Sequence, residues 1–362
     1  MNQIRTAIIG QGRSCRDIHG VNLSKMPEMY KIIAIADSIE NRRERASREY
    51  SCDVYENYQG LFGRKDIDLV INALPSHFHV PVTAEFLNNG FNVLCEKPLA
   101  RKAGEVDMLI ETAEKNNKLL AIFQQSRFNE AFKEIKRIID SGILGRIIQI
   151  SCQFNGFARR WDWQTLQEYN GGNLLNTGPH PVDQMLRLLD YDEMPEIKCY
   201  MNRVDTFGDA EDYVKILMTA PDKPVIDLEI SSCNAYPKFM YNIQAQYGGL
   251  CGDNSRLDYK YYVSETAPKQ RLTREPLENP DGTPAYCGEK LEWVEKSWSP
   301  GSNKSKNGSS YVPSAPADEP TVAFYTMLYN HILNGGNLEV TPKQVLQQIA
   351  VIEECHKQNP MK

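Results

Sequence analysis

The sequence predicts an α/β protein built in two parts. Three observations carry this. Short Ile- and Val-rich segments alternate with helix-like stretches over the first 123 residues, a Gly10-Gln11-Gly12 turn follows the first segment, and after Gln124 strands with alternating apolar and polar positions take over. Continuous apolar runs suit a parallel sheet covered on both faces by helices, whereas alternation suits a sheet with one covered face.

Taken in order, Ile4 to Ile9, Lys31 to Ala36, Asp68 to Ala73, Phe91 to Cys95 and Leu119 to Phe123 are the strands of the first part. A helix from Pro81 to Asn89 stops at Gly90, where a left-handed backbone is inexpensive. Another presents Val106, Leu109, Ile110 and Ala113 along one face. This half reads as doubly wound. In the second part a helix carrying Phe132, Ile135, Ile138 and Ile139 runs into Gly142 and Gly145. The next segment alternates Ile148, Ile150, Cys152 and Phe154, and further strands are expected at Ile197 to Val204, Val214 to Thr219, Val225 to Ser231 and Phe239 to Tyr247. Residues 251 to 318, with KSKNGSS at 304 to 310, read as a long turn-rich connection, either folded over a site or projecting from the surface. Order resumes at Thr321 to Leu333 and in a last helix after Thr341, with Val345, Leu346, Ile349 and Ile352 facing a core.

The chain has 362 residues, 41% hydrophobic and 24% charged, enough for two cores and unlike a disordered composition. Its formal charge of -6 gives no electrostatic reason to expect nucleic acid or an anionic membrane as partner. Arg42, Arg43 and Arg45 alternate with acids and read as a solvated helix face, with a cofactor phosphate on Arg42 as the alternative. The opening MNQIRTAIIGQG leaves no room for a secretory leader before the glycine turn, no apolar run approaches bilayer length, and cytoplasm is the default expectation. Nine cysteines without a CxxC pair read as buried thiols rather than disulfides or a zinc site, and no metal is expected.

The turn Gly10-Gln11-Gly12-Arg13-Ser14-Cys15 sits between a strand and a helix. Gly10 allows the sharp turn and Gly12 lets a pyrophosphate approach the backbone and the helix amides. Cys15 stands where a third small residue is usual. Asp37, at the end of the second strand, can accept hydrogen bonds from both adenine-ribose hydroxyls and would repel a ribose phosphate. NAD(H) is therefore preferred and NADP(H) is the lesser expectation. The competing account is a structural turn with Asp37 as a surface acid.

Two later segments add chemistry. Cys95-Glu96-Lys97-Pro98 follows a strand, and Gly171 to His180 reads GGNLLNTGPH before Val182 and Asp183. Read from residues alone, Lys97 could be a solvated lysine and His180 a helix cap. The cluster Arg159, Arg160, Trp161, Asp162 and Trp163 suits the rim of a sugar site, with a packed loop as the alternative.

Together the GQGRSC turn, Asp37, ALPSHFH from Ala73, CEKPLA from Cys95 and GGNLLNTGPHPVD from Gly171 resemble the Gfo/Idh/MocA oxidoreductase superfamily over nearly the whole chain. The resemblance implies a Rossmann domain over 1–123, an α/β domain with an open, predominantly antiparallel sheet over 124–340 that binds substrate and self-associates as a homodimer or homotetramer, and a C-terminal helix in 341–362 returning toward the nucleotide domain. It implies cofactor contacts at Gly10, Gly12, Arg13, Ser14, Asp37, Leu74, Pro75, His79, Glu96 and Lys97. Lys97 and His180 are the implied catalytic pair, and Arg160, Trp163 and Asn176 join them in substrate binding. Asn176, one helical turn before His180, occupies a position where many relatives carry aspartate, and it cannot accept a proton as a carboxylate does. Asp183 is a candidate to orient His180, with an interdomain or surface acid as the alternative. His77 lies near an implied cofactor loop with weaker correspondence, and Gln125 and Arg127 begin the second domain near an implied substrate loop, with helix capping and surface solvation as the alternatives.

The resulting expectation is an NAD-dependent dehydrogenase or reductase acting on a sugar, sugar derivative or polyol. Two alternatives stay open at this point: glycoside cleavage with recycled NAD through transient sugar oxidation and elimination, and a cofactor-binding regulatory protein.

Overall fold

The computed structural model describes residues 3–188, 190, 193–300 and 319–361. The first part runs β1 (Ile4–Ile9), a π-helical turn Ser14–Gly20, α1 (Val21–Ser24), β2 (Tyr30–Ala36), α2 (Glu40–Tyr50), β3 (Asp53–Tyr55), β4 (Leu69–Asn72), α3 (His79–Asn88), β5 (Val93–Cys95), α4 (Ala103–Lys115) and β6 (Leu120–Ile122). The six strands form one parallel sheet in the order β3-β2-β1-β4-β5-β6. Helices cover the apolar runs, and β4, β5 and β6 are buried throughout. The chain leaves β1 toward β2 on one side and meets β4 on the other, which opens a crevice at the carboxyl ends of these strands.

The second part contains α5 (Glu130–Asp140), β7 (Ile147–Asn155), α6 (Asn173–Asn176), α7 (Pro179–Leu188), β8 (Glu196–Asn202), β9 (Tyr213–Thr219), β10 (Val225–Ser231), β11 (Tyr241–Ala245), β12 (Gly248–Gly252), β13 (Leu257–Tyr262), β14 (Trp293–Trp298), α8 (Glu319–Asn334) and α9 (Pro342–Gln358). Its eight strands are ordered β14-β13-β12-β11-β7-β10-β9-β8, antiparallel except for the parallel β7-β10 pair. Ile150 and Cys152 face the helices as the alternation predicts. Ile148 does not: the β7-β11 register skips it between Gln149 and Ile147, and this bulge turns the side chain outward.

The stretch read as a turn-rich connection instead supplies β13 and β14, which lengthen the sheet, and the KSKNGSS segment lies outside the described residues. The expected buried thiols are only partly so. Cys15, Cys95, Cys152, Cys199 and Cys355 are buried, but Cys251 and Cys287 are exposed, on β12 and in a loop. Among the described residues no helix is long and apolar enough to cross a membrane.

The two parts share packing. Tyr325 of α8 accepts or donates a 2.6 Å hydrogen bond with His19 Nδ1 and receives Tyr30 Oη on its carbonyl, while Phe324 stacks edge-on against Phe123. Helix α9 packs on α4, α7 and β8. The Glu353 carboxylate accepts the Ala103 N–H at the start of α4. At the end of α9, Gln358 and the capping Asn359 pair with the backbone of Ile197, Cys199 and Met201, so the outer edge of β8 is hydrogen-bonded by side chains rather than left open.

Candidate active site

The glycine turn is built by close backbone contact at Gly10 and by the Asp37 carboxylate behind it. Gly10 has φ +87°, and a Cβ there would lie 2.8 Å from the Ala73 carbonyl oxygen. A Cβ on Gly12 would meet nothing within 4 Å, so that backbone faces open space, as close approach by a ligand requires. Asp37 is buried and its two oxygens accept the N–H groups of Gln11 at 2.6 Å and Ile39 at 2.8 Å. Each oxygen keeps acceptor capacity for a ribose hydroxyl. Cys15 fits beneath the turn, its thiol 2.5 Å from Gln11 Oε1, while Gln11 Nε2 is buried without a partner among the described residues. Arg13 is exposed and Ser14 half-buried at the start of the π-helical turn. Arg42 lies 3.5 Å from Asp37, and Arg43 donates to the Asp37 carbonyl. These features fit a dinucleotide.

At the end of β4, Leu74 and Pro75 form the next loop. His79 ties it to the Lys97–Pro98 turn: Nε2 is 2.8 Å from the Leu74 carbonyl and Nδ1 is 2.7 Å from that of Pro98. Burial lowers the His79 pKa, with the two carbonyls and Glu96 opposing. Glu96 is buried, with His19 Nε2 at 3.1 Å and the Lys97 N–H at 3.0 Å. Burial alone would raise this carboxyl, but the His19 hydrogen bond and the positive charges around it outweigh that and hold it at about 2.

Lys97 Nζ donates to the Asn176 carbonyl at 2.7 Å, which joins the nucleotide half to α6. Burial pushes the Lys97 pKa below its ordinary value; Glu96 opposes this, and Arg13 and Arg160 add repulsion. His180 stands in the first turn of α7 with Nδ1 3.1 Å from Ser126 Oγ. Burial, then the Lys97 charge, pushes His180 down to about 3. It is neutral at ordinary pH beside a cation.

The substrate-side residues are linked in series. Asn176 Oδ1 accepts from Gln164 Nε2 at 2.8 Å, Gln164 Oε1 accepts from Arg160, and Arg160 forks onto the Asp162 carboxylate. Trp163 is half-buried beside Tyr169. Nearby, Glu211 is buried with Oε1 on the Leu174 N–H at 2.8 Å. Burial raises its pKa to about 7, with that N–H opposing.

Asp183 does not orient His180. It is buried in a two-pronged ion pair with Arg127, which also donates to the Glu339 carbonyl and to Gln344. Arg127 is thus a buried tie rather than a ligand contact or a solvated residue, and Gln125 carries a buried Oε1 without a partner among the described residues. His77 packs edge-on to Tyr169 at 4.5 Å. Sequence reasoning missed His19, Ser126, Gln164 and Glu211. His19 and Glu96 are 77 positions apart, and no local pattern connects them. Among the described residues no three His, Cys, Asp or Glu side chains gather to hold a metal.

A glycine turn at the switch point of a parallel sheet, faced by a lysine and a neutral histidine, defines a dinucleotide-binding protein with a separate substrate half. Family comparison matches residues 4–124 to the oxidoreductase family with an NAD-binding Rossmann fold and residues 132–251 to the GFO/IDH/MocA C-terminal domain. The chain belongs to the Gfo/Idh/MocA oxidoreductase superfamily. It is 29% identical over 242 residues to an uncharacterized oxidoreductase of Schizosaccharomyces pombe, covering 65% of this chain and 66% of that one. It is 25% identical over 272 residues to 2,7-anhydro-N-acetylneuraminate hydratase of Mediterraneibacter gnavus, 71% of each chain. The chain thus spans just under two thirds of the first of these relatives. Its fold is similar to the WlbA dehydrogenase of Bordetella pertussis in complex with NADH and UDP-GlcNAcA, with TM-score 0.75, 16% identity and coverage of 99% and 96%.

Proposed function

We propose that this protein transfers hydride between NAD and a hydroxyl-bearing carbon of a sugar, sugar derivative or polyol. The observation that carries the reading is Lys97, on the cofactor side, bonded to the Asn176 carbonyl of the substrate half, where its charge helps burial to keep His180 at the head of α7 neutral. NAD, when bound, would supply the hydride acceptor, and NADH the donor in the reverse direction. Gly10, Gly12, Arg13 and Ser14 would hold its pyrophosphate and Asp37 its adenine ribose, where a carboxylate favours NAD over NADP. Leu74, Pro75, His79 and Glu96 shape the loops beside the reacting end.

With Nδ1–H donated to Ser126 Oγ, His180 Nε2 presents a lone pair and takes the substrate hydroxyl proton. The Lys97 ammonium stabilises negative charge developing on that oxygen. That same charge favours the imidazolium, so the proton affinity of His180 rises as the reaction proceeds. In the other direction His180 returns the proton. Arg160, Trp163 and Asn176 form the substrate rim, and the open sheet face is the proposed self-association surface of a homodimer or homotetramer. Support for a carbohydrate substrate comes from the relative named for 2,7-anhydro-N-acetylneuraminate.

The name of the hydratase relative favours one second reading, redox-neutral cleavage of a glycoside with recycled cofactor. Incubation with free sugars, polyols and glycosides, following NADH absorbance and product mass together, tests both. A two-hydrogen mass change matched by cofactor turnover supports the dehydrogenase. Aglycone release without NADH accumulation replaces it with the cleavage reading, and binding without any turnover removes both.

A further inference from the structure

Between the Pro75 loop and the Trp161–Trp163 segment of the substrate rim lies a pocket of about 350 Å³, near the lower end of the roughly 300–1,000 Å³ usual for small-molecule sites. Pro75 of the cofactor-side loop forms one wall, and Trp161, Trp163, Tyr169 and Phe207 form most of the rest. Trp161 is 79% exposed and Phe207 63% exposed, an uncommon arrangement for large rings that gather round one opening.

The walls are held in place. Arg101 fixes the Tyr169 turn to the loop after Lys97 through the Gln167 carbonyl at 3.1 Å. Arg159 lies 5.0 Å over the Phe207 ring and pairs with Asp205. A Cβ on Gly208 would come 2.0 Å from the Thr165 carbonyl, so only glycine lets the Phe207 segment pack this close.

The carboxylate and several backbone groups of the pocket are spent on neighbouring protein groups. Thr165 Oγ1 and N–H both go to the Asp162 carbonyl, the Asp162 carboxylate is taken by Arg160, and the Phe207 N–H is given to the Arg160 carbonyl. A hydroxyl-rich ring placed here would find the Asp162 carboxylate and the Thr165 hydroxyl already engaged and would have fewer partners than in water. A flat apolar group would cover the exposed rings and lose little.

We propose that this pocket is a second subsite, which binds a planar apolar substituent such as an aryl aglycone carried by the reacting sugar. The proposal rests on the carbohydrate reading above and narrows its substrate class to conjugated sugars. Through Arg160, Gln164 and Asn176 the subsite wall is connected to the Lys97 contact, so occupation of the pocket bears on the placement of the reacting ring.

The test uses the full chain with NADH and matched phenyl and methyl glycosides of glucose, galactose, mannose and xylose, titrated calorimetrically. The phenyl member of at least one pair is expected to bind roughly tenfold tighter, the scale set by burying one aromatic face. Trp161→Ala and Phe207→Ala, both at exposed positions, should bring that ratio within about threefold, and Trp161→Phe should restore most of it. Equal affinities within every binding pair, or a phenyl preference that survives both alanine variants, overturn the subsite while leaving the carbohydrate reading in place. Failure of both members of every pair to bind overturns the carbohydrate reading and the subsite with it.

Discussion

The cofactor turn and the substrate rim are built in different ways. From Gly10 to Ser14 the chain is placed by its neighbours in the same sheet: Gly10 donates to the Ala36 carbonyl, Gln11 to Asp37, and the turn lies against Ala73. The rim from Arg160 to His180 is placed by side chains reaching across long separations, with Lys97 on Asn176, Arg101 on Gln167 and Ser126 on His180. Damage to the first region should therefore appear as lost cofactor affinity, and damage to the second as lost chemistry or lost stability.

The sharpest division is expected from His180→Ala. Loss of a proton-transfer group should lower kcat/KM by about 10²–10⁴, while NADH affinity in a fluorescence titration stays within a few-fold. An equal loss of NADH affinity would break the comparison.

Next, Asp183→Ala leaves Arg127 buried without its carboxylate. Removing one partner of such a pair costs about 3–5 kcal/mol, measurable by urea unfolding. A change below about 1 kcal/mol, the size of an exposed pair, would mean that this long-range tie does not hold the second region.

The Glu211 carboxyl gives a pH-dependent version of the same test. Its pKa rises from an ordinary 4.5 to about 7 on folding, so the stability it contributes is present below 4.5 and is lost as pH rises through 7. The loss reaches up to ~3 kcal/mol at roughly 1.4 kcal/mol per unit. Glu211→Gln should abolish this slope in thermal melts between pH 4.5 and 8, and an unchanged slope assigns it to other groups.

The smallest effect is expected from Gly10→Ala. The added Cβ meets the Ala73 carbonyl in a left-handed backbone, a strain of about 1–3 kcal/mol, and NADH affinity should fall while kcat at saturating cofactor changes little. A variant that binds NADH normally would separate the turn from cofactor binding.

The first half was legible because burial on both faces leaves its strands as continuous apolar runs. Strand β3 was not, being a short edge strand whose Asp53 and Val54 are exposed. For the same reason β13 and β14, at the far edge of the second sheet and rich in Lys, Asp and Glu, resembled loop. Ile148 broke the alternation because a bulge shifts the register there. In the site, the glycine turn and Asp37 were readable as one local motif, whereas His19, Gln164 and Glu211 had no motif to announce them.

By itself the sequence determined five of the six strands of the nucleotide half, its doubly wound class and the position of the turn. Those properties follow from periodicity and backbone geometry within a few residues. Only the tertiary structure decided that Asp183 serves Arg127 rather than His180, that His180 is neutral beside Lys97, and that four aromatic rings enclose one pocket. Each of these depends on which distant groups exclude water from one another, and desolvation and charge proximity are properties of the packed chain.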